Sequence, residues 1–419
     1  MARLTVSSPA LVGTSSSDVV LGQEDNAFPS IGIEVLNNGV INTKAGNDTI
    51  KGIGNGGNAF SPPIEGRGIG IANNGIIKAG QGDDTITGAG NGGSQFRATA
   101  TGIGIFNTQG GYIDGGDGKD LISGTGKGGA AGSPINTGIN NSEHSRIDGG
   151  KGDDSIVGSG TGTIFASAIG ISNTQGSEIN GGEGNDSITG IAKGSDAVLA
   201  PFSSFVGQGI GISNGEGSII RGGKGNDSIS GTGTGGAGLD NNPPVKDIEP
   251  GEGIGIVNKG LISLGDGEDT LIGTGISLGV GIDNTNGTID GGAGGDILTG
   301  YGTRIGIQGG TIDGGKGDDY FKARRIDDNG NPVSDQKGAI ADVLIKGGYG
   351  CDTFDVGYGN ATIDGGQGWD KLILPDFKCD YAIAGSCNNY TIKRDGFTLN
   401  VFDVEEIAFL GVSTQNTVV

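Results

Sequence analysis

Isolated Ile, Leu and Val recur at fixed offsets along the chain, with glycine and polar residues between them. Residues 297–319 read ILTGYGTRIGIQGGTIDGGKGDD, in which three strand-like pieces, ILTG, RIGIQ and TID, are separated by turn formers. The same pieces reappear mid-chain as DSITG, IGISN and SEIN. A coil of this length with three strands suits one rung of a parallel β-helix. Longer repeats keep all three pieces and place the extra residues between the first and the second. GNGGNAFSPPIEGR and GTGGAGLDNNPPVKDIEPGE are such inserts, with the Gly, Pro and Asn content of loops bulging from one corner. The pattern predicts an all-β parallel β-helix or β-roll solenoid, with one Gly-Asp turn per rung, variable corner loops and a C-terminal β cap.

The repeat is anchored by aspartates with a large apolar residue two positions on: Asp48, Asp84, Asp120, Asp154, Asp186, Asp227, Asp269, Asp296, Asp319, Asp352 and Asp370. A glycine stands two residues before each of these eleven. Successive spacings are 36, 36, 34, 32, 41, 42, 27, 23, 33 and 18 residues. The final 18-residue spacing holds only two strands, DTFDV and ATID, the length of a two-sided β-roll turn. A weaker copy surrounds Asp18. A second series, Asn37, Asn73, Asn107, Asn141, Asn173, Asn214, Asn258 and Asn284, follows the second strand. Asn tolerates left-handed backbone and bonds locally, so it suits a corner, where stacked copies can bond to one another.

Composition narrows the choice. Glycine supplies 94 of 419 residues, but only 11 prolines occur, in no collagen register. The ordered aliphatic positions argue against disorder. Aromatics at 5% leave stacked small aliphatics as the core. The net charge of −22 carries no basic stripe, which disfavours nucleic acid, and clustered carboxylates point to a cation. No apolar run reaches transmembrane length, and MARLTVSSPALVG lacks the core of a secretory signal. Of the three cysteines, an odd number, Cys379 and Cys387 could pair with each other. Three free thiols, Cys351 included, are the alternative.

IDGGKGDDSI and INGGEGNDSI match a nonapeptide of form GGxGxDxUx, with U a large aliphatic. The repeat resembles those of the RTX, or hemolysin-type calcium-binding, family, over about residues 44–371. The resemblance implies several bound Ca²⁺ ions. Side-chain ligands would be the eleven aspartates. Turn carbonyls would come from glycines such as Gly115, Gly149, Gly181, Gly222, Gly291, Gly314, Gly347 and Gly365. The preceding residue can assist where it is Asp83, Asp153 or Asp318. Lys119, Cys351 and Trp369 depart from the pattern there, as does the occurrence of one motif per rung rather than a tandem run. The chemistry is coherent, because Ca²⁺ takes six to eight hard oxygens and glycine lets a turn aim its carbonyls inward. Without metal, like charges one strand spacing apart repel by about 1 kcal/mol per pair even in bulk water.

From Lys371 glycine thins out, bulky apolar residues return, and RDG marks a hairpin. Three segments result: an N-terminal cap with a degenerate repeat (1–30), the calcium-binding solenoid (31–371) and a C-terminal capping segment (372–419). The last also resembles the uncleaved region that serves type I secretion in RTX proteins. The expected function is a secreted calcium-binding repeat protein, structural or at the cell surface or extracellular matrix. The alternatives are an adhesin or carbohydrate-binding module using the variable loops, and a polysaccharide lyase or epimerase. Their partners would be polysaccharide or a second copy of the chain. No catalytic residue is assigned. His144 reads as a substituted corner residue, Asp327 and Asp328 sit in an irregular loop, and TGTG runs such as Thr232–Gly235 drift in register.

Overall fold

The computed structural model describes residues 2–58, 66–93, 100–129, 135–164, 166–200, 203–238 and 248–411. The expected corner inserts therefore lie partly outside the described residues. A rung is built from three strands. After the Asp120 turn, Leu121–Lys127 runs along one face, Ile135–Asn141 along a second and Arg146–Lys151 along a third. The Asp154 turn then opens the next rung. Each strand pairs in parallel with its equivalents one rung before and after, so Leu121 aligns with both Thr85 and Ser155. The first face is a sheet of 13 strands. The other two join through the long strand Lys337–Tyr349 into a sheet of 25. The chain is thus a parallel β-solenoid. Among the described residues no helix is long and apolar enough to cross a membrane.

The register keeps identical positions stacked, and this makes the core. Ile122, Ile156 and Ile188 form part of a buried column on the first face, Ile105, Ile139 and Ile171 on the second, and Ile113, Ile147 and Ile179 on the third. Each β-branched side chain meets the copy about 4.8 Å away as well as the other two columns. Elsewhere in the cross-section the first and second faces approach backbone to backbone. A Cβ added to Gly104 would stand far inside contact distance of the Thr125 nitrogen and within 2.5 Å of the Gly124 and Gly138 backbone. Only glycine permits that approach.

The asparagine series is a hydrogen-bonded ladder. The Asn73 amide donates to Asn107 at 2.8 Å, Asn107 to Asn141 at 2.8 Å and Asn141 to Asn173 at 2.9 Å, and the ladder continues through Asn214 and Asn258 to Asn284. Asn37 is not part of it. Val35 pairs with Asn73, which leaves Asn37 exposed in the following turn.

At the C-terminal end the rung shortens to Thr353–Val356 and Tyr358–Gln367. Ala382–Ser386, Asn389–Arg394 and Phe397–Phe402 then form an antiparallel meander. The last strand of the meander also pairs with Tyr358–Gln367, while Glu406–Phe409 extends the first face. Asp395 and Gly396, both at positive φ, make the hairpin turn. Aromatic contacts among Tyr358, Tyr381, Phe397 and Phe409 cover this end of the core. Cys351, Cys379 and Cys387 are all free and exposed.

Two glycine substitutions separate close approach from backbone strain. Gly104→Ala should lower stability by about 3 kcal/mol, because neighbouring rungs must part. Gly110→Ala should cost only about 1 kcal/mol, since φ is +76° there but nothing lies within 4 Å of the added methyl. Denaturant midpoints of the two variants in one buffer give the comparison; equal midpoints would count against backbone contact between the faces.

Candidate metal centre

Each Gly-Asp corner begins at the end of a third-face strand. In Arg146–Lys151 the side chain of Ile147 points inward and so does the Cα of Gly149. Gly150 and Gly152 follow at φ +116° and +121°, the left-handed region that an L side chain resists. These two residues turn the backbone sharply enough to bring Asp154 back over Gly149. The carboxylate is thereby carried inside the corner, where Asp154 is only 3% exposed.

The two carboxylate oxygens then have different surroundings. Oδ1 of Asp154 accepts the backbone N–H of Asp120 at 2.8 Å, and Oδ1 of Asp186 accepts that of Asp154 at 2.7 Å. The chain of bonds continues without a break from the Asp18 N–H to Oδ1 of Asp370. Oδ2 of all eleven aspartates is buried and has no hydrogen-bond partner. In eight corners it is not alone in its space. The point where a Cβ would stand on Gly115, Gly149, Gly181, Gly222, Gly291, Gly314, Gly347 or Gly365 lies within 2.7 Å of two oxygens. One is Oδ2 of the same corner. The other is a backbone carbonyl: Gly149, Gly181, Gly222, Leu264, Gly314, Gly347, Gly365 and Asp403, respectively. Two acceptor oxygens therefore converge in each cradle, and neither can donate to the other.

The carboxylate oxygen, buried and unpartnered, would be stabilised by a positive centre beside it. A hard cation and a proton both meet that need. Anionic carboxylate and neutral carbonyl are the donor types that Ca²⁺ takes, and each corner brings two of the six to eight oxygens it needs. Burial, reinforced by the charges of neighbouring aspartates, raises the carboxylates well above their usual range. Asp120, Asp154, Asp227, Asp296 and Asp319 are pushed up to about 7, and Asp84, Asp186 and Asp352 to about 6. Asp269 and Asp370 shift upward for the same reason, and the partly opposing influence throughout is the backbone N–H on Oδ1.

The fifth-position residues stand elsewhere. Asp83, Asp153 and Asp318 are exposed on the outside of the turn. Their carboxylates accept the backbone N–H of Lys119, Asn185 and Cys351 at 2.9, 3.0 and 2.7 Å. Lys119 also pairs with Asp153 at 2.6 Å. They form a second, outer ladder that does not face the buried oxygens. His144 occupies a corner at φ +61°. Asp327 closes its own turn by accepting N–H groups of Asn329 and Asn331. Thr232 stacks between Ile191 and Thr274, so no continuous threonine column forms.

Three participants lie outside the motif. At the last corner the Asp403 carbonyl replaces the next glycine's, and Glu405 accepts the Asp370 N–H at 2.7 Å. At the Asp48 corner Thr43 occupies the cradle position, and its hydroxyl donates to the Ala79 carbonyl at 2.6 Å. Glu405 carries no glycine signal in sequence, whereas Thr43 is found by counting five residues back from the aspartate.

No protein-family model and no curated protein matches the chain. The likeness to the RTX repeat thus stands on the repeated corner alone.

The raised carboxylates fix a pH dependence. A folded-state pKa of about 7 against an ordinary 3.8 means that the folded chain holds protons which the unfolded chain releases. That stabilisation is complete below about pH 4 and is lost as pH rises through about 7. The metal-free protein should melt at progressively lower temperature from about pH 4 to about pH 8. Thermal melts by circular dichroism after exhaustive removal of metal measure this, and a midpoint that climbs over the interval would contradict buried, uncompensated carboxylates.

Proposed function

We propose that the protein is a secreted calcium-binding repeat protein with a structural role at a cell surface or in an extracellular matrix, and that it completes its folding on Ca²⁺. The observation that carries this reading is the convergence, in eight corners, of an unpartnered buried carboxylate oxygen with a backbone carbonyl of the next rung. The residues that would hold the ion are Asp120, Asp154, Asp186, Asp227, Asp296, Asp319, Asp352 and Asp370, with the facing carbonyls. Bound there, Ca²⁺ would supply the positive charge that the unpartnered carboxylate oxygen lacks and join one rung to the next. The protein's part is to preorganise the oxygens: glycines set the turn, and the Asp N–H to Oδ1 bonds fix each carboxylate's orientation. Export, as the resemblance to RTX repeats implies it, would use the same chemistry. Where calcium is scarce the acidic column repels itself, and where it is abundant the repulsion is relieved.

Calcium should raise the melting temperature at about pH 7.5, because a ligand at a hundred times its Kd stabilises by about 2.7 kcal/mol per site. Magnesium should do less, since it dehydrates reluctantly and demands octahedral geometry. Melts in calcium, magnesium and EGTA make the test. Identical curves in all three would remove the proposal.

The raised carboxylates favour a second reading, in which a proton on Oδ2 is donated to the carbonyl and no metal is used. Asp154→Asn separates the two. The amide keeps an acceptor for the Asp120 N–H and offers its own N–H to the Gly181 carbonyl. Without calcium at about pH 8 the variant should be more stable than the parent, by about 1 kcal/mol. With calcium the order should reverse. A variant that stays ahead in saturating calcium supports the proton instead.

A further inference from the structure

The position five residues before each corner aspartate is where the corners differ. From the second corner onward it reads Thr43, Ala79, Gly115, Gly149, Gly181, Gly222, Leu264, Gly291, Gly314, Gly347 and Gly365. The strand register stacks these residues directly, since Gly80 aligns with Gly116 and Gly265 with Gly292. Where the residue is glycine, the two oxygens share the space that a Cβ would take. Where it is not, that space holds carbon. Ala79 is 1% exposed and Leu264 is 0% exposed, so both side chains are inside the corner. Thr43 goes further and supplies the missing donor, its hydroxyl bonding to the Ala79 carbonyl. The first corner, at Asp18, also has glycine here, and the Cβ point of Gly13 lies within 2.7 Å of both Asp18 Oδ2 and the Thr43 carbonyl, but that carboxylate oxygen is already taken by the Thr14 N–H at 2.6 Å in an exposed turn.

Resting on the calcium reading, we infer that, among the eleven corners whose Oδ2 is buried and unpartnered, this one position decides which take a cation, and that Leu264 splits the column into two blocks of four. The first block is Asp120, Asp154, Asp186 and Asp227. The second is Asp296, Asp319, Asp352 and Asp370. The Asp269 corner between them is an insulator. Its carboxylate retains the ladder bond through Oδ1, which accepts the Asp227 N–H at 2.7 Å. At this corner the buried Leu264 side chain stands at the position that glycine occupies in the eight cradles. Asp48 and Asp84 take no cation for the equivalent reason. The aspartates are therefore shared by two tasks, rung stacking in all eleven corners and cation binding in eight.

Native mass spectrometry of the full chain in calcium counts the ions directly. The parent should carry eight tightly held Ca²⁺. Leu264→Gly opens the ninth cradle and should carry nine. Leu264→Ala removes the same bulk from the core but keeps a Cβ, and should remain at eight. Ala79→Gly, in a different rung, should also reach nine, which covers the case in which Leu264→Gly fails to fold. Eleven ions in the parent, or equal counts for the Gly and Ala variants at 264 together with no gain in Ala79→Gly, overturns this inference and leaves calcium binding standing. No calcium held by the parent overturns both.

Discussion

One bond organises the whole molecule: the backbone N–H of each corner aspartate reaching the carboxylate of the next. It repeats from Asp18 to Asp370 at 2.6–2.8 Å. Parallel strands alone tolerate slippage when a face is rich in glycine and small residues. A buried carboxylate that must meet a particular N–H does not. The ladder therefore holds the rungs in register while the corner loops vary in length. It also commits one oxygen of every carboxylate and leaves the other over.

The leftover oxygen is what turns a structural device into chemistry. A buried acceptor without a partner is costly, and here the cost is repeated in every rung. The space beside it differs from corner to corner. Thr43 places a hydroxyl there that bonds the Ala79 carbonyl and leaves Asp48 Oδ2 unpartnered, Leu264 and Ala79 place carbon there, and the glycine corners leave a space shared by two oxygens. The glycine that frees the space and the glycines that close the turn are neighbours: Gly149 has no side chain to fill the cradle, and Gly150 and Gly152 take the positive φ. The asparagine ladder at another corner is the neutral counterpart. Each amide there both donates and accepts, so the column needs nothing from outside.

The ends are solved differently from the middle. Asp403 and Glu405 copy the carbonyl and the carboxylate of a missing rung, although they arrive from an antiparallel meander of unrelated sequence. The column is thus terminated with its own chemistry. The aromatic residues, scarce elsewhere, gather at this end because an unstacked rung has a wide apolar face to cover.

The sequence by itself determined the solenoid, the three strands per rung, the place of the inserts and the column of corner aspartates. All of these follow from residue types recurring at a constant offset, and stacking converts an offset into a line in space. It also singled out the asparagine ladder, misjudging only Asn37, whose position belongs to Val35 because the first rung turns two residues earlier. Tertiary structure decided what each acid faces. Asp153 and Asp154 are neighbours in the chain, yet one lies outside the turn and the other inside, because successive residues at a glycine corner point to opposite sides of the backbone. Only the fold could show that the inner oxygen meets a carbonyl from the following rung, since that partner lies some thirty residues away along the chain but one strand spacing away through space.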